Sequence, residues 1–132
     1  MSTLWVRHSP GSAAVARRSV RAAFAAAGLT AEQALDAALI TSELVGNAVR
    51  HAVPLPSGQL AVSWSWNSDG YQISVTDGGT PGRARPRISA RQAGRHDPHG
   101  RGLQIVAELA DDWGVAAADG VTTVWARTRT PA

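Results

Sequence analysis

Ser42-Glu43-Leu44-Val45-Gly46-Asn47-Ala48-Val49-Arg50-His51 is the stretch whose reading decides the fold. Glu43, Asn47 and His51 stand at i, i+4 and i+8, so a helix through them lines all three along one face. Two apolar stripes share the same helix, Ala37/Ile40/Leu44/Ala48 and Ala38/Val45/Val49/Ala52. A helix that is apolar nearly all round is buried, and a polar line on it must find partners. Such a line is either a solvated face or the wall of a cleft, where a carboxylate and an amide oxygen meet a metal ion or a hydroxyl. Upstream, Thr30-Ala-Glu-Gln33 has the form of a capping box, with Thr30 as N-cap and Gln33 at N3. Downstream, Pro54 and Pro56 stop the helix near Ala52.

Working outward, Gly11 to Ala27 reads as a first helix, with Val15, Arg18/Ser19, Ala22/Ala23 and Ala26 at three-to-four spacing and Gly28 as its stop. Leu4-Trp5-Val6 before it reads as an edge strand. After the long helix, Leu60 to Trp66 and Tyr71 to Asp77 both alternate with period two across an Asn67-Ser-Asp-Gly70 turn, an antiparallel hairpin. Residues 78–100 carry turn formers and no apolar period, and read as one loop of a length usually tied to function. Leu103 to Ala110 is helical, with Leu103, Val106, Ala107 and Ala110 on one face. A second hairpin closes the chain, Trp113 to Ala117 and Val121 to Arg127 around Asp119-Gly120. This order predicts an α+β fold: a two-layer sandwich whose mixed, largely antiparallel sheet is covered on one face by helices. The 132 residues fit a single domain, 1–132.

Composition removes several chemistries. There is no cysteine, hence no disulfide, thiolate metal site or cysteine nucleophile. All thirteen basic residues are arginine, so a Walker A loop and Schiff-base mechanisms are excluded. The net charge of +3 is concentrated locally. Arg83, Arg85, Arg87, Arg91, Arg95 and Arg101 face one acid, Asp97, and four more arginines lie within the first 21 residues. No secretory signal is visible, and no apolar run approaches the ~20 residues that span a bilayer, so a cytoplasmic protein is expected, without a membrane partner. His96-Asp-Pro-His99 offers two imidazoles and no third ligand at helical spacing, too few for a zinc site. A Gly-x-Ser-x-Gly elbow is lacking, which leaves a hydrolase triad without support.

Two short motifs complete the inventory. Asp77 ends a strand and precedes Gly78-Gly79, a form common in simple turns. Gly100-Arg-Gly102-Leu103 opens a helix, where free N–H groups and the positive dipole end favour an anion. Each is weak alone, but the ordered combination is specific. Glu43-Leu-Val-Gly-Asn47-Ala-Val-Arg-His51 resembles the N box of the GHKL ATPases, the Bergerat ATP-binding fold shared by gyrase B, sensor histidine kinases and mismatch-repair ATPases. Asp77-Gly-Gly79 is similar to the family's first glycine box, Gly100-Arg-Gly102-Leu103 to its second, and Gly120-Val-Thr-Thr123-Val-Trp-Ala to its last. Within the family, the compact size and the Ser-Glu-Leu-Val-x-Asn-Ala-x-x-His wording most resemble bacterial anti-sigma-factor-type serine kinases.

The resemblance implies roles. Asn47 would coordinate the Mg²⁺ that bridges the phosphates of ATP, and Glu43 would be the general base for the attacking hydroxyl or water. Asp77 would accept from the adenine amino group, with Gly79 keeping the backbone clear of the purine and Thr123 supporting that contact from the neighbouring strand. Gly100, Arg101, Gly102 and Leu103 would offer backbone N–H groups to the phosphates, while His51 either reaches the phosphates or caps its helix. Residues 80–99 would form the ATP lid, and its arginines would meet phosphate oxygens. That use accounts for the basic loop without nucleic acid. Two positions depart from the family pattern: Pro81 stands where many members have a further glycine, and Gln104 where kinase-type second boxes often place one.

By the same resemblance the protein is a serine/threonine kinase and anti-sigma-type regulator. It would bind Mg·ATP, phosphorylate a serine of an antagonist protein and hold a sigma factor until the antagonist competes. The alternative is a switch without catalysis, in which ATP orders the lid and selects partners. The length leaves no room for the phosphoacceptor helices of a sensor histidine kinase or the transducer domain of a gyrase-like machine. A homodimer is a further implied arrangement, and Trp64 and Trp66 are equally accounted for as interface or as core.

Overall fold

A computed structural model describes residues 1–79 and 101–130, the latter without the side chains of Arg101 and Gly102. Its elements are β1 (Ser2–Arg7), α1 (Ser12–Ala26), α2 (Ala31–His51), β2 (Gln59–Asn67), β3 (Gly70–Asp77), α3 (Arg101–Leu109), β4 (Asp112–Ala118) and β5 (Val121–Arg129). The strands form one sheet in the order β1-β2-β3-β5-β4. Every neighbouring pair is antiparallel, so the sheet expected as mixed and largely antiparallel contains no parallel pair among the described residues.

Strand alternation sorts the sheet into two faces. In register across all five strands, Leu4, Val62, Val75, Val124 and Val115 form one apolar row on the face that the helices cover. Beside it, Trp64, Ile73, Ala126 and Trp113 form a second. Trp64 is 8% exposed and belongs to the core, whereas Trp66 keeps 40% of its surface and packs edge-on against Phe24. The opposite face is polar or small: Ser63 and Ser74 lie in one row with Trp125 and Gly114. A Cβ at Gly114 would come within 2.8 Å of the Trp125 ring, so glycine lets that indole lie flat across β4.

The turns obey local chemistry. At the β4–β5 hairpin Asp119 and Gly120 have φ of 54° and 80°, the paired positive values that an Asp-Gly turn supplies. Gly28 has φ of 87°, and the Leu29 and Gly28 amides donate to Phe24 and Ala25, a Schellman ending for α1.

The buried face of α1 differs from the expected one. Ser12, Ala16, Val20 and Phe24 are buried, while Val15 is 44% exposed. An alanine-rich helix has little apolar contrast, so its phase is fixed by its single large residue. Phe24 is fully buried and meets Tyr71 edge-on at 5.0 Å; truncating such a side chain to alanine costs roughly 3–5 kcal/mol. In α3 the same correction is smaller: Leu103 and Val106 are buried as expected, and Ala107 is exposed.

Candidate functional site

α2 begins as its sequence dictates. The Thr30 side chain accepts from the Gln33 amide at 3.0 Å, and the Gln33 side chain accepts from the Thr30 amide at 2.9 Å. The helix then crosses the sheet, packing on β2, β3 and β5 and against α1 and α3. Ala34, Ala37, Ala38, Ile40, Thr41, Leu44, Val45 and Ala48 are buried along it. Glu43, Asn47 and His51 are half-buried on its remaining face.

Beyond His51 the helix is joined to the end of β3. Val53 donates to the Gly79 carbonyl at 2.9 Å and accepts from the Gly78 amide at 2.8 Å. This seam brings the polar end of α2 beside Asp77-Gly78-Gly79. A Cβ at Gly78 would fall 2.2 Å from the Pro54 carbonyl oxygen, so only glycine permits that approach. Gly79 has φ of 92°, the left-handed region that glycine occupies without strain. Its amide donates to Asp77 Oδ1 at 2.7 Å, which fixes the carboxylate of a residue only 3% exposed. Asp77 therefore does more than end a strand. It is a buried acid on the helix-covered face, aimed by the loop that follows it.

Asn47 supplies the second unusual feature. Its Oδ1 is buried and has no hydrogen-bond partner among the described residues. An orphaned buried acceptor costs on the order of 1–3 kcal/mol. Trp64 Nε1, Tyr71 OH, Trp113 Nε1 and Thr128 Oγ1 are also buried without a partner among those residues, and what sets Asn47 apart is its place on the polar line of α2. An amide oxygen is the donor type that Mg²⁺ accepts, and Asn47 thus fits the ion that the family pattern implies.

The threonine expected beside Asp77 is displaced by one. Thr123 points to the open face of the sheet, where its hydroxyl meets that of Thr76 at 2.9 Å. Thr122 is the register partner of Asp77, lies on the same face and is 2% exposed. Its Oγ1 would be 3.9 Å from a Cβ at Gly79. The signal that could have found it is parity: Thr122 shares its alternation with the core residues Val124 and Ala126. Arg101, Gly102 and Leu103 are the first described residues of α3, and Leu103 is anchored in the core. Gly100, the lid with its arginines, Pro81 and the His96/His99 pair lie outside the described residues.

A family model for the histidine kinase-like ATPase domain matches residues 6–128. The chain belongs to the histidine kinase-like ATPase family. Membership implies ATP binding. Comparison with curated proteins gives no match. Among solved structures, the fold is similar to that of the RsbU and RsbW domains of a Mycobacterium tuberculosis protein, with a TM-score of 0.63 at 19% identity. All of this chain is covered there, but it spans only 34% of that chain. It is also similar to a chain of the SiaB–SiaC complex from Pseudomonas aeruginosa, with a TM-score of 0.62 at 13% identity over 98% of this chain and 90% of that one. No helix among the described residues is long and apolar enough to cross a membrane.

Proposed function

We propose that this ATPase-family chain is an anti-sigma-type regulator that transfers the γ-phosphoryl group of ATP to a serine or threonine of an antagonist protein. The observation that carries the nucleotide site is the buried, unpartnered Oδ1 of Asn47 next to a loop that fixes Asp77. Asp77, aimed by the Gly79 amide, accepts from the adenine amino group. Thr122, its cross-strand partner, supports that contact in place of Thr123. The first-turn amides of α3 receive phosphate oxygens. Asn47 would hold Mg²⁺, which would supply charge neutralisation to the phosphates.

Glu43 lies one helical turn before Asn47 and takes the proton of the acceptor hydroxyl. The hydroxyl oxygen then forms a bond to the γ-phosphorus, the bridging oxygen bond breaks, and ADP leaves. The likeness to the RsbW-containing structure and to SiaB, itself solved with a partner protein, supports a protein target. The sigma factor, the antagonist, a homodimer and a cytoplasmic setting belong to this reading.

Calorimetric titration of Mg·ATP into wild type and Asn47→Ala tests it. Micromolar binding by the wild type, lost in the variant, is expected. Glu43→Ala keeps that binding and loses phosphoryl transfer to the antagonist. A wild type that binds no nucleotide overturns the reading. Binding without any phosphorylated partner moves the protein to the non-catalytic switch.

A further inference from the structure

α1 and α2 finish differently. α1 stops at a left-handed glycine, whereas α2 ends at Ala52 in an extended conformation, φ −124° and ψ 165°. The Ala52 carbonyl accepts instead from His8, whose Nε2 donates to it at 2.7 Å across 44 residues of sequence. His8 follows β1 directly and is half-buried. The strand end before it is fixed by the pairing of Val6 with Leu60 and Arg7 with Gln59, and the Arg7 carbonyl accepts from Ser12 Oγ.

The Ala52 carbonyl and the Val53 amide are the two poles of one planar peptide group. His8 holds the first pole, and the Gly79 carbonyl holds the second. A peptide whose carbonyl accepts a hydrogen bond is polarised, so its N–H donates more strongly. One side chain just beyond the edge strand thereby orients the plane that anchors Gly79, and the Gly79 amide in turn aims Asp77. We propose that His8 is a positioning residue of the nucleotide site, acting through the Ala52–Val53 peptide. The inference rests on the ATP-binding reading above. Nothing in the local sequence around His8 signals it, because its acceptor is a backbone atom at the far end of another helix.

Mg·ATP titrations into wild type, His8→Ala and His8→Gln, each with its nucleotide-free Tm, test the proposal. Removing one such bond should weaken nucleotide binding in His8→Ala on the order of three- to tenfold. The glutamine amide offers an N–H close to where Nε2 stood, and His8→Gln is expected to recover most of the affinity. Amide exchange adds a local readout: Val53 should exchange faster in His8→Ala, while Leu44 and Val45 in mid-helix keep their protection. If His8→Ala does not fold, His8→Asn, polar but too short to reach Ala52, takes its place with the same expectation. Wild-type affinity in the variant that lacks the bond overturns the proposal, as does a His8→Gln that stays as weak at wild-type Tm. A wild type that binds no nucleotide is a separate result, since it removes the ATP-binding reading and the role of His8 with it.

Discussion

The two halves of α2 follow opposite rules. At the start of the helix the end groups are met locally, since the capping box satisfies both within four residues, and Ala34, Ala37 and Ala38 enter the core. In the second half a polar line runs down the helix, an amide oxygen is buried without a partner among the described residues, and the exit is held by bonds from His8 just beyond β1 and Gly78 and Gly79 just beyond β3. The start of the helix closes its own end groups, and its end relies on groups brought from elsewhere in the chain. Local self-sufficiency marks scaffold, while groups that only a distant residue or a ligand can satisfy mark the site.

The sharpest way to break this contrast is Gly78→Ala. Its Cβ would stand 2.2 Å from the Pro54 carbonyl oxygen, a backbone atom that cannot swing aside. A loss of roughly 2–4 kcal/mol is expected in urea unfolding, with nucleotide binding lost as well. A variant as stable as wild type would show that the seam is not close-packed.

Next in size is a paired test on β5. Thr122→Val should weaken Mg·ATP binding on the order of several-fold, as expected for one lost hydrogen bond, while Thr123→Val leaves it unchanged. The reverse result in titration calorimetry would restore Thr123 and refute the parity argument.

At the other end of α2, Thr30→Ala removes the N-cap. It should cost about 1 kcal/mol of stability and leave nucleotide affinity at the wild-type value. A change in affinity would mean that the two halves are coupled after all.

The smallest effect concerns Asp36, whose carboxyl is raised above the ordinary carboxylate range by burial and, secondarily, by Glu32 one turn earlier. The folded state therefore holds the proton more tightly than the unfolded chain. Its stability contribution is favourable at low pH and is lost as pH rises through the raised value, so at neutral pH the charged group opposes folding. Asp36→Asn should raise Tm at pH 7 by roughly 1–2 °C, with the gain shrinking towards the ordinary carboxylate range. A gain that grows on acidification would contradict the sign.

Much of this architecture is legible in the sequence because short-range rules wrote it. The capping box, the Asp-Gly turn and the alternation of β2 and β3 each rest on neighbours within a few residues, and the elements lie where those neighbours put them. The phase of α1 was hidden by its alanines and by two valines on different faces, Val15 and Val20, between which only the large Phe24 decides. The insertion of β5 between β3 and β4 is a pairing across the whole loop and α3, with no local trace. At the proposed site, the family pattern singles out Glu43, Asn47 and Asp77, which lie along one face of α2 and beside its end. It missed the adjacent choice between Thr122 and Thr123, which depends on which face of β5 meets the helices. It also missed the steric reason for Gly78, which appears only when Pro54 is brought alongside.

The seam at Val53 sets where chain length can vary. Immediately beyond it, Leu55 donates to Gln59 at 2.9 Å and Gly58 donates to Leu55 at 2.8 Å, so the segment around Pro56 and Ser57 closes on itself before β2 begins. One residue added between Ala52 and Val53 would turn the linking peptide over and detach three bonds at once. The same residue added beside Ser57 would only enlarge a turn whose ends are already tied. Insertions and deletions among relatives should therefore avoid 52–54 and gather at 56–57, where a tag or fluorophore would sit close in sequence to the Val53 seam without loading it.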